Sequence, residues 1–182
     1  MSEIKPPSRW TLWLPLVLFV GFAGLAMSGL FRPAQREVES AMIGKPLPQF
    51  TLRAAVPERP GLARSDLADG KPRLLNVFAS WCLPCAVEAP QLATLQAEGV
   101  EIVGVAIRDR PEDVAAFLAR HGNPFTRIGA DDRSEVQLGI GSSGVPETFV
   151  IDGQGTIRYQ HIGEIRPEHV ALLREKLKEV GS

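Results

Sequence analysis

Apolar positions along this chain follow three rhythms. From Trp10 to Phe31 they dominate a stretch of 22 residues without a charge. At about 1.5 Å per residue, that is long enough to cross a hydrocarbon layer of roughly 30 Å. Over 73–79 and 100–107 they form short runs: Leu74, Leu75, Val77 and Phe78 are nearly continuous, and the second run is β-branched. Both read as strands covered on both faces. Helical spacing appears over 86–97 (Val87, Leu92, Leu95, with Pro90 inside), over 111–121 (Val114, Phe117, Leu118) and from Arg166 on (Val170, Leu173, Leu177, Val180).

Turn chemistry supplies the punctuation. Pro111 and Gly122 bracket one helix. Asp152-Gly153-Gln154-Gly155 joins strands over 148–151 and 156–162 into a hairpin. A short strand is expected over 125–128 and one or two helical turns over 133–138. A proline-punctuated segment from Gly44 leads to a short strand near Leu52, and 54–72 reads as loop. The order β-α-β-α-β-(α)-β-β-α predicts an α/β fold: a mixed central sheet between two helix layers.

The organisation follows from the first rhythm. Residues 10–31 are expected to be a transmembrane anchor, with Trp10 and Trp13 at its start, where interfacial tryptophans sit. A cleaved signal peptide ending near Ala26-Met27-Ser28 is the alternative, but the run exceeds the roughly 7–15 residues of such a core. Residues 32–43 read as a linker and 44–182 as the folded domain. Lys5 and Arg9 before the span balance Arg32 and Arg36 after it, so charge leaves orientation open. The 182 residues carry a net charge of -1, with no basic stripe of the kind nucleic acid needs.

The candidate chemistry is Trp81-Cys82-Leu83-Pro84-Cys85, which holds both cysteines. Two cysteines spaced C-x-x-C at a strand-to-helix turn form a redox motif. Half of a zinc site is the competing reading, but a closed site needs four ligands. There is no third cysteine, and His121, His161 and His169 lack ligand spacing. Cu(I) delivery is a second alternative, since soft thiolates suit that ion. Neither Met nor His stands in the motif to strengthen it. No metal and no cofactor are expected.

These stretches resemble a thioredoxin-like fold over about residues 44–180. More narrowly, the chain is similar to the thiol:disulfide oxidoreductases of cytochrome c maturation, the CcmG/DsbE family. Leu74 to Cys82, Glu88-Ala89-Pro90, Gly122-Asn123-Pro124-Phe125 and Gly144 to Gly153 carry the resemblance. It implies a single-pass protein of the bacterial inner membrane, with residues 1–9 cytoplasmic and the catalytic domain in the periplasm. Such a protein reduces apocytochrome c, or a maturation partner holding it, before haem attaches, and a membrane thiol-reductase restores it. A related anchored reductase with another target is the nearest alternative.

Roles follow residue by residue. Cys82, at a helix N-terminus, is the expected nucleophile, because unpaired N–H groups and the helix dipole stabilise a thiolate there. Cys85 resolves the mixed disulfide and leaves the redox-active Cys82–Cys85 disulfide. Glu88, one turn on, is either a proton carrier for Cys85 or a solvated helix glutamate. Thioredoxins proper place a buried aspartate where this chain has Asn76. That departure points to Glu88 or Glu147 as the substitute. Trp81 is either an apolar lid or ordinary packing. Pro146 matches the family's cis-proline, beside which the backbone of Val145 can pair with substrate. Glu147 either lines the same groove or is a strand-edge charge.

Overall fold

The computed structural model describes residues 9–30 and 41–181. They fall into two units, Met1–Val38 and Glu39–Ser182. Helix α1 (Arg9–Leu30) occupies the expected anchor. Among the described residues, no helix is long and apolar enough to cross a membrane. Residues 1–8 of the expected cytoplasmic segment 1–9, and 32–40 of the expected linker 32–43, lie outside the described residues.

The second unit is built on a five-stranded mixed sheet, ordered β5 (Arg127–Asp131), β4 (Ile102–Ile107), β3 (Arg73–Phe78), β6 (Glu147–Ile151), β7 (Ile157–Ile162). Strands β3 (Arg73–Phe78) and β4 (Ile102–Ile107) are parallel and central. All six residues of each are buried. Since alternate residues point to opposite faces, both faces of the sheet are covered here. Leu74, Leu75, Val77 and Phe78 are at most 1% exposed; burial of such side chains contributes about 1.5–3 kcal/mol each.

Helix α2 (Leu83–Ala97) connects β3 to β4, and α3 (Pro111–His121) connects β4 to β5 (Arg127–Asp131). Both crossovers step the same way across the sheet, so the right-handed rule puts both helices on one face. The short helix α4 (Glu135–Gly139) leads to the antiparallel pair β6 (Glu147–Ile151) and β7 (Ile157–Ile162). The final helix α5 (Pro167–Gly181) packs against α2.

Three boundaries differ from the sequence reading. Helix α2 starts at Leu83, not Ala86, because Pro84 stands in its first turn, where a missing N–H costs nothing. The edge strand runs over 127–131 rather than 125–128; Phe125 instead turns inward and stacks on Phe78 at 4.8 Å. The expected loop 54–72 contains β2 (Leu62–Ala63), paired antiparallel with β1 (Thr51–Leu52), and a 3-10 turn over Arg64–Leu67. This hairpin closes onto the sheet edge. Ala55 N–H donates to Ile128 O, Ala130 N–H to Arg53 O and Ile128 N–H to Pro60 O. Gly129 permits the approach, since a Cβ there would stand 2.7 Å from Leu52.

Candidate active site

The site sits at the C-terminal end of β3. Cys82 is the N-cap of α2, and its sulfur accepts a hydrogen bond from Cys85 N–H at 3.2 Å. Cys82 and Cys85 are joined in a disulfide. Their exposures, 5% and 2%, rank as expected, although both are buried. When the bond opens, the same N–H and the unpaired amides of the first turn favour negative charge on Cys82.

Behind the disulfide lies a sealed polar cluster. Glu88 is fully buried. Its Oε1 accepts from Asn76 Nδ2 at 2.8 Å and its Oε2 from Ile165 N–H at 2.9 Å. Asn76 Nδ2 also donates to Thr148 Oγ1 on β6, while Asn76 Oδ1 has no partner. Burial pushes the Glu88 carboxyl up to about 7, helped by the charge of Glu164; the Ile165 and Asn76 donors oppose the rise. A cavity of about 10 Å³ is lined by Asn76, Cys85 and Glu88 among others, close to the smallest that holds one water.

The second strand of the site starts at β6. The Val145–Pro146 bond is cis. Pro146 is buried and Val145 half-buried. Gly163 N–H, from the loop joining β7 to α5, donates to Pro146 O. Two residues later the same loop supplies Ile165 N–H to Glu88. Glu147 is 1% exposed. Its Oε1 accepts from Ser143 N–H, Ser143 Oγ and Gly144 N–H, and its Oε2 from Gln160 Nε2 at 2.6 Å. Its carboxylate thus fastens the turn that delivers Val145 and Pro146.

Trp81 is 60% exposed and Leu83 77%. Both wall an open cavity beside Cys82. The structure therefore brings Trp81, Cys82, Cys85, Glu88, Val145, Pro146 and Glu147 to the ends of β3 and β6. Asp109 is a participant the sequence reading missed. Its carboxylate accepts from both Ser80 N–H and Ser80 Oγ, and from Arg110 N–H. It pins the approach to Cys82 from the β4 side. Only tertiary structure reveals this pairing, because Ser80 and Asp109 are 29 residues apart.

The Redoxin family model matches residues 42–177. The chain is 42% identical over 146 residues to the thiol:disulfide interchange protein HelX of Rhodobacter capsulatus, covering 80% of this chain and 82% of that protein. It is 39% identical to the thiol:disulfide interchange protein DsbE of Escherichia coli K12, covering 92% and 95%. A solved chain from Chlorobium tepidum, assigned as a thiol:disulfide interchange protein DsbE, superposes with a TM-score of 0.65. That pair shares 28% identity, over 77% of this chain and 98% of the other.

Proposed function

The chain belongs to the Redoxin family, in its DsbE group of thiol:disulfide oxidoreductases, and from that premise we propose that it is a membrane-anchored periplasmic reductant. Its substrate in this reading is apocytochrome c, or a maturation partner holding it, before haem attachment. The observation that carries the exchange chemistry is the buried carboxyl behind Cys85, which serves oxidation and reduction alike; the reducing direction rests on the likeness to the DsbE proteins. A group with a pKa of about 7 exchanges a proton with the resolving thiol at neutral pH.

The cycle balances as follows. In the reduced protein the Cys82 thiolate attacks a disulfide sulfur of the target. One S–S bond breaks, a mixed disulfide forms, and the first target thiolate leaves and takes a proton from solvent. Cys85 then loses its proton toward Glu88 through the small cavity, and its thiolate attacks Cys82 Sγ. The second target thiolate leaves. The target has gained two electrons, and Cys82–Cys85 is the disulfide seen here. A membrane thiol-reductase returns two electrons to close the cycle. During the attack, the Val145 backbone holds the target segment in extended form.

Support for the anchor comes from the uncharged run 10–31 and from the large apolar side chains that α1 exposes, among them Trp13, Phe19 and Phe22 at 61–72%. The target meets haem outside the cytoplasm, in a compartment whose oxidants create disulfides. That places the domain following the anchor on the outer side.

One experiment tests the reading. The full chain with Cys85→Ser, expressed in cells that make c-type cytochromes, will retain mixed disulfides through Cys82. Those adducts will sediment with membranes, contain a cytochrome or maturation protein, and be cut by protease added to intact spheroplasts. Adducts without such partners would sink the substrate assignment. Adducts that stay soluble or protease-resistant would sink the anchored, outward topology.

A further inference from the structure

The cysteine turn has a flank that the exchange chemistry above leaves unused. Strands β4 and β6 lie on opposite sides of β3, so the cis-proline approaches Cys82 from one side and the loop between β4 and α3 from the other. On this second side a cavity of about 570 Å³ opens next to Cys82, within the range of pockets that hold ligands. Trp81, Leu83, Ala116 and Phe117 give it apolar walls; Arg108 and Arg120 are among its polar ones.

The charges in this cavity are unequal in what they can still bind. Asp109 has both carboxylate oxygens occupied, by Ser80 and by Arg110 N–H. Arg110 is committed to Glu112 and, at 3.8 Å, to Asp113. Among the described residues, Arg108 and Arg120 have no ion pair with an acidic side chain. Arg108 is also held at φ +46°, a conformation that a non-glycine residue adopts only when its surroundings enforce it. Two unspent guanidiniums therefore face a cleft of mixed lining at the attacking cysteine; its other charged or titratable groups are Asp109, Arg110, Asp113 and His121, the first three already engaged as above.

We propose that this cleft receives an extended segment of the target chain that carries a carboxylate close to the cysteine under attack. Arg108 and Arg120 hold the carboxylate, for which guanidinium geometry is matched. Trp81, Leu83 and Phe117 cover its apolar neighbours. The inference rests on the reductant reading and adds to it a charge preference for the target. Attraction between such groups at a partly solvated site also speeds encounter, and salt weakens it.

The test uses the full reduced protein in detergent, with three peptide disulfides that differ only in Glu, Gln or Lys beside the cysteine. Hydroxyethyl disulfide, which is uncharged, serves as a fourth substrate. The Glu peptide should exceed the Lys peptide in kcat/KM by about ten-fold at low salt, mostly through KM, and the gap should close at about 0.5 M salt. Arg120→Glu should reverse the order, and Arg108→Gln should shrink the preference. Equal rates for the Glu and Lys peptides, or a preference that survives Arg120→Glu, would overturn the proposal. Failure of the unaltered reduced protein to reduce even hydroxyethyl disulfide would instead overturn the reductant reading.

Discussion

Glu88 and Glu147 are the same residue type in the same depth of protein, 0% and 1% exposed, yet their surroundings treat them differently. Glu88, behind the disulfide, accepts two hydrogen bonds, one to each oxygen. Glu147, beside the cis-proline, accepts four. A carboxylate surrounded by donors serves as a rivet for the chain that supplies them. One with fewer donors in a closely walled pocket has room to take a proton. The number of donors, rather than burial, separates the clamp on the cis-proline turn from the candidate proton carrier.

Removing the rivet should have the largest effect. Glu147→Ala removes the four hydrogen bonds that its buried carboxylate accepts; at about 1 kcal/mol net for each, the loss should reach about 4 kcal/mol. Urea unfolding of the oxidised protein measures it. A loss below about 1 kcal/mol would show that the turn does not depend on this carboxylate.

Glu88 should reveal itself through pH. Its carboxyl is raised from 4.5 to about 7 by folding. Between those values the folded protein binds the proton more tightly than the unfolded chain. Stability is therefore full below pH 4.5 and falls as pH rises toward 7, by up to about 3 kcal/mol. Glu88→Gln should flatten that slope in unfolding measured at pH 4.5, 6 and 8. A slope of the same size in the variant would assign the titration to another group.

The smallest effect belongs to Asp109, which performs the rivet's task on the opposite flank but is only half-buried. Water can replace part of what it supplies. Asp109→Asn keeps one acceptor oxygen and should cost about 1 kcal/mol in the same urea measurement. A loss as large as that of Glu147→Ala would mean that solvent access does not distinguish the two flanks.

Legibility in the sequence divides along similar lines. Strands β3 and β4 announce themselves because burial on both faces calls for nearly continuous apolar runs, interrupted in β3 by Arg73 and Asn76. The C-x-x-C turn, Pro146 and Glu88 were visible because each stands in a local motif. Of the β1–β2 hairpin only the strand at Leu52 was; β2 was not, since a two-residue strand inside a turn-rich stretch carries no measurable period. Helix α2 starts three residues earlier than its apolar spacing suggests, although Pro84 was a signal for that start. Glu147 could have been read as a clamp from Ser143 and Gly144 just before it. Asp109 could not, because charge at a loop gives no hint of a partner across the sheet.

The hairpin that fastens onto β5 also bears on how this protein survives its own trade. A bare outer strand is a template for any extended polypeptide, and on the proposed function this protein meets such polypeptides constantly. Here the backbone donors of Ile128 and Ala130 are already spent on Pro60 and Arg53, so that margin offers few hydrogen bonds to recruit a client into a growing sheet. Loss of the fit at Gly129 would expose the margin. The resulting defect would be gradual co-aggregation with clients, while the redox chemistry of the cysteines remained intact.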